Sequence, residues 1–173
     1  FTFVEGTSPN IADYYGRGWC FKESSVANLV KDYDFCLDLG KLSDGSGDWD
    51  AITHECQAGR AAPMTPEDFA SELERKSFTS KKADLPTVAG LYKAAFDKRF
   101  ATAEQLNYAG LGWGDAEMVS LARVIGSGAL PALKELSLHT NQIGDVGMQA
   151  LAGAVSKGAL ASLKELRLQG NQI

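Results

Sequence analysis

The segment ALPALKELSLHTNQI at residues 129–143 returns thirty positions later as ALASLKELRLQGNQI at residues 159–173. A repeat of this length is one supersecondary unit that cannot bury its apolar face alone, so the chain has to be read as stacked copies before local structure is assigned. A third copy lies upstream in the same register. QLNYAGLGWGDAEMVSLARVIGSGAL (105–130) aligns without a gap under ELSLHTNQIGDVGMQALAGAVSKGAL (135–160), with altered chemistry.

Each unit carries the spacing L-x-x-L-x-L-x-x-N-x-I, formed by Leu133, Leu136, Leu138, Asn141 and Ile143 and again by Leu163, Leu166, Leu168, Asn171 and Ile173. Leu136 and Leu138, two apart, share one face of a short strand. Met148, Leu151 and Val155 then recur at i, i+3 and i+7, as Met118, Leu121 and Ile125 do in the earlier copy, so a helix follows each strand. Asn141 and Asn171 stand where the chain must turn, and an amide that both donates and accepts satisfies backbone groups that have left the sheet. Gly144 and Gly147 suit the bend into the helix.

Read on through Ile143, Gly144, Asp145, Gly147, Ala150, Leu151, Ala152 and Ala154, the segment 101–173 resembles the ribonuclease-inhibitor class of leucine-rich repeats. The resemblance implies an α/β fold: a short right-handed strand-helix solenoid, preceded over residues 1–100 by a smaller, mostly helical α/β region. Tyr108, Leu111 and Trp113 replace the strand Leu, the turn Asn and the Ile in the first copy. Terminal solenoid repeats are commonly atypical, so residues 101–128 read as a cap or junction.

In such a coil the leucines point inward and alternate strand positions form an open concave face. Its columns are Gln105, Glu135, Glu165, then Asn107, Ser137, Arg167, then Ala109, His139, Gln169. Polar side chains of mixed sign on a rigid sheet suit recognition of another protein, and none forms a catalytic triad or metal cluster. Glu135, Ser137, His139, Glu165, Arg167 and Gln169 are the expected partner-binding residues. The expectation is a non-enzymatic interaction module without metal or cofactor.

Within residues 1–100, FTFVEG and DFCLDLG read as strands, and Gly18 to Lys31 as a helix with Trp19, Val26, Leu29 and Val30 on its apolar side. Thr65-Pro66-Glu67-Asp68 supplies a cap, a first-position Pro and first-turn acids for a helix to about Lys76. Another is expected over Pro86 to Phe100, with Val88, Leu91, Tyr92, Ala95 and Phe96 on one face. Residues 7–30 resemble the end of a TIR-like domain through Ser8, Tyr14, Trp19, Cys20 and Glu23, although Arg17-Gly18 stand where that family has Ser. In the family's enzymatic branch this Glu serves in cleaving the nicotinamide bond of NAD by stabilising positive charge on the ribose, so the resemblance makes Glu23 the alternative catalytic position.

Three weaker patterns point to ordinary structure. Asp44, Ser46, Asp48, Asp50 and Glu55 have calcium-loop spacing, but Trp49 stands where Gly must make the turn, which favours a polar DGSG turn. Cys36, His54 and Cys56 lack paired C-x-x-C spacing and read as buried thiols. Gly40-Lys41-Leu42-Ser43 lacks the upstream glycine of a phosphate loop.

Composition narrows the function classes. A formal charge of -5 with no basic stripe argues against nucleic acid. No run of about 18 apolar residues is present to span a bilayer. Cys20, Cys36 and Cys56 cannot all pair within one chain, and no charged-then-apolar leader is seen, so reduced thiols and a cytoplasmic location are expected. A chain opening on Phe1 and stopping at Ile173 inside a unit reads as a fragment. The last unit should leave an apolar face and a bare strand edge, through which the fragment is expected to self-associate.

Overall fold

A computed structural model describes residues 12–30, 42, 47–56 and 59–173. Four helices come first: α1 (Gly18–Val30), α2 (Trp49–Glu55), α3 (Pro66–Leu73) and α4 (Lys81–Phe100). Then β1 (Gln105–Asn107), α5 (Asp115–Gly126), β2 (Glu135–Ser137), α6 (Asp145–Val155) and β3 (Glu165–Arg167) alternate. The fold is mixed α/β, mostly helical, with one small parallel sheet ordered β1-β2-β3. The two expected N-terminal strands, Ser8, Cys36, residues 40, 41 and 43 of the GKLS stretch and residues 44–46 of the DGSG stretch lie outside the described residues, as do the side chains of Val30 and His54.

The sheet register follows the thirty-residue spacing. Leu106, Leu136 and Leu166 pair side by side across parallel strands. Five of the inward apolar positions of the middle unit, Leu130, Leu133, Leu136, Leu138 and Ile143, are buried in one core cluster with Met118, Leu121 and Ile125 of α5 and Leu151 of α6. That cluster continues into the helical region through Leu29, Phe69, Leu73, Val88, Tyr92, Phe96 and Phe100. There the rings of Phe21, Phe69 and Tyr92 stack at 5.2 and 3.8 Å between centroids.

Several local expectations need correction. Helix α4 begins at Lys81, because the carbonyl of Ser80 accepts from Ala83 and Asp84 and starts a full turn ahead of Pro86. A proline so near the helix start removes one hydrogen bond without ending the helix. Leu91 is exposed, and Phe100 completes the buried row of Val88, Tyr92 and Phe96. Trp19 is 40% exposed, its place against the core taken by Phe21. Helix α3 stops at Leu73, three residues short, in a turn closed by Arg75 and Lys76 bonding back to Glu72 and Leu73. In α6, Ala154 is buried and Val155 is exposed, since nothing among the described residues packs on that flank.

Candidate functional site

The turn asparagines join successive units. Asn141 Oδ1 accepts from the N–H of Leu111 and of Trp113, both at 3.0 Å, while its Nδ2 donates to the carbonyls of Tyr108 (2.8 Å) and Leu138 (2.9 Å). Asn171 does the same one unit on, accepting from Ile143 N–H and donating to Leu138 and Leu168. Each amide therefore reaches back to the loop of the preceding unit. Leu111, at the same place in the first copy, has no preceding strand among the described residues to join.

A second clamp went unread in the sequence. The carboxylate of Asp115, at the start of α5, accepts from Gly144 N–H (2.8 Å) and Gly147 N–H (2.9 Å) at the start of α6. An acceptor at a helix N-terminus satisfies donors that lack intrahelical partners and complements the helix dipole. Gly147 serves close approach: a Cβ there would stand 2.8 to 2.9 Å from Asp115 Oδ1, Ile143 Cγ2 and Met118 Cβ. The recurrence of Asp at 115 and 145 was the available clue.

The first unit is sealed by groups from the helical region. Tyr108 is fully buried and stacks on Trp113 at 4.6 Å, with the Arg60 guanidinium 4.7 Å from its ring centre. Trp113 Nε1 donates to the Arg60 carbonyl at 2.7 Å, and Arg60 donates to the carbonyls of Asn28 and Asn107. Burial pushes the Tyr108 hydroxyl up to about 12, against the opposing pull of Arg60 and Arg99, and the hydroxyl finds no hydrogen-bond partner among the described residues.

These clamps hold an open sheet face with the columns in register: Gln105, Glu135 and Glu165 pair across the strands, then Asn107, Ser137 and Arg167. Beyond the strand ends, the amides of Gly110 and Thr140 bond the carbonyls of His139 and Gln169 and carry the third column forward. Gln105, Asn107, Glu135, Ser137, His139, Glu165 and Arg167 line a shallow cavity of about 210 Å³. Within it Arg167 Nε donates to Glu165 Oε1 at 2.5 Å. That hydrogen bond, aided by the opposite charge, holds the Glu165 carboxyl below its ordinary range and raises Arg167. Gln169 is exposed outside the cavity.

The remaining candidates lie elsewhere. Glu23, Trp19 and Tyr14 are exposed at α1, and Tyr14 has its hydroxyl raised by partial burial and by Cys20 and Glu23 nearby. Asp48 caps α2 by accepting from Ala51 N–H at 2.8 Å, which gives it a structural use in place of a cation loop. Cys20 and Cys56 are free thiols, Cys56 buried. Among the described residues no cluster of His, Cys, Asp or Glu is arranged to hold a metal ion. No helix among them is long and apolar enough to cross a membrane. At the last unit Leu163, Leu168 and Asn171 are half-buried, whereas Leu166 is 40% and Ile173 63% exposed.

The family model described as Leucine Rich repeat matches residues 130–152, which span β2 and most of α6. This part of the chain carries a leucine-rich repeat. No curated protein and no solved structure matches the chain.

Proposed function

We propose that the chain is a non-enzymatic protein-interaction module of the cytoplasm, working without a cofactor, in which the three strand-helix units are successive turns of a right-handed solenoid of the ribonuclease-inhibitor type. One observation carries this reading. Two polar columns lie in register on a parallel sheet face that no described residue covers, with Leu106 and Leu136 buried in the core beneath them. A face preorganised in this way loses little conformational entropy on binding, which favours recognition by rigid columns over recognition by loops. Right-handed crossovers between parallel strands follow from strand twist. The outer edge of β3, unpaired among the described residues, and the exposed Leu166 and Ile173 support self-association as a secondary property.

The test places a photo-crosslinking residue at Ser137 on the sheet face or at Gly153 on the outer face of α6. Protein adducts are expected from position 137, lost on reversing the charges of Glu135 and Arg167 at unchanged melting temperature. Adducts from position 153 alone, or capture indifferent to both reversals, defeat the proposal. Nicotinamide release from NAD that disappears in Glu23→Ala would remove the non-enzymatic part of the reading.

A further inference from the structure

The carboxylates around the sheet face are not equivalent. Glu165 is held by Arg167, and Glu104 at the start of β1 is held by Lys134 at 2.6 Å. Glu135 lies between them on the middle strand, half-buried, and makes no side-chain hydrogen bond or ion pair among the described residues. Its column neighbours are the neutral Gln105 and the already engaged Glu165. Arg167, the cation that lines the same cavity, is turned to Glu165. The cavity thus sets two carboxylates against one guanidinium, and its volume of about 210 Å³ suits one long side chain. Sites for whole small molecules typically enclose roughly 300 to 1,000 Å³.

We infer that this cavity takes a lysine or arginine side chain from an extended segment of a protein partner, its cation paired with Glu135 and its remaining donors shared among Gln105, Asn107 and Ser137. The inference rests on the concave-face reading and sharpens it to a basic partner. A second acid would meet two carboxylates there, whereas a cation completes the one carboxylate of this cavity that has no hydrogen bond or ion pair among the described residues.

Titration of the 15N-labelled full chain with two synthetic octapeptides, one alternating lysine and serine and one alternating glutamate and serine, tests it. The lysine peptide should shift the amides of Glu135 and Ser137, less so as salt rises, while the glutamate peptide leaves them unmoved. Glu135→Gln should weaken the lysine peptide roughly tenfold, the scale of one charge-assisted contact. Glu67→Gln, which removes the same charge from exposed α3, should change it less than about twofold. Any of three results overturns the inference: tighter binding of the glutamate peptide, an unweakened Glu135→Gln, or equal losses in both variants. If the lysine peptide leaves the sheet untouched while Ser137 still forms adducts, basic-partner recognition fails and the broader interaction reading stands.

Discussion

Replacing Asn141 by Leu, the residue that the first copy carries at the same position, probes the clamp between units most directly. The side chain is buried, and its loss strands the N–H groups of Leu111 and Trp113 and the carbonyl of Tyr108. The Leu138 carbonyl keeps its bond from Asn171. Three orphaned groups at roughly 1 to 3 kcal/mol each, the half-buried Leu111 at the low end, give a loss of about 3 to 7 kcal/mol. The same change at half-buried Asn171 strands Ile143 N–H and the Leu168 carbonyl where water reaches, so it should cost about 1 to 2 kcal/mol.

Urea unfolding followed by far-ultraviolet circular dichroism reads both losses, with the slope checked for constancy. Since a domain has only about 5 to 15 kcal/mol of stability in total, Asn141→Leu should move the midpoint by a large fraction of its value. Asn141→Asp separates the roles: it keeps an acceptor for the two N–H groups and loses only the donors, so it should fall between wild type and Leu. A loss below about 1 kcal/mol for Asn141→Leu, or an equal loss at Asn171, would refute the view that the buried amide holds the units together.

Leu136→Ala should destabilise by about 2 to 5 kcal/mol through a cavity between strand neighbours, and Leu166→Ala by less than half as much because that side chain is 40% exposed; equal midpoint shifts would contradict the assigned register. Gly147→Ala should cost about 1 to 3 kcal/mol, since its Cβ would overlap Asp115, Ile143 and Met118, whereas Gly153→Ala, with open space around its Cβ, should add up to about 1 kcal/mol; thermal melts that move the same way would refute the contrast. Tyr108→Phe should add about 1 kcal/mol by deleting a buried hydroxyl that has no partner among the described residues. Because the folded Tyr108 titrates at about 12 against 10.0 for the free side chain, its neutral form favours folding below pH 10, and that contribution is lost as pH rises toward 12. The variant should therefore flatten the alkaline limb of stability, and an unchanged limb would exclude Tyr108 as its source.

The repeat was legible because strand and helix periods recur in near-identical copies. Gln105, Glu135 and Glu165 pair as a spacing of thirty demands, and Leu136 in β2 and Leu138 just past its end both fall inside. Local reasoning failed where a residue's partner is distant or its neighbour is absent. Arg60 sits in no pattern, yet it meets Asn107 and Trp113 about fifty positions away, so the device that covers the first unit has no local signature. Pro86 suggested a helix start because proline favours the first turn, but Ser80 began the helix earlier. Trp19 and Val155 share an apolar period with buried neighbours and are exposed, since periodicity identifies a face and not what covers it.

The turn asparagines connect fold to face. A single-sequence reading gives them the task of satisfying their own turn, and the geometry gives them the preceding unit as well. Asp115 adds an equivalent link at the helix starts, so the loop from β2 into α6 is fastened to the unit before it both at its turn and where the helix begins. The leucines beneath supply burial, which is non-directional and tolerates sliding. Directional bonds just beyond the C-terminal end of a three-residue strand add the register that holds Glu135 level with Gln105 and Glu165. Weakening the clamp should therefore blur recognition on the sheet before it unfolds the chain: Asn171→Leu is expected to reduce adduct formation at Ser137 while the far-ultraviolet spectrum stays native. Retention of full capture in that variant would show that burial alone positions the face.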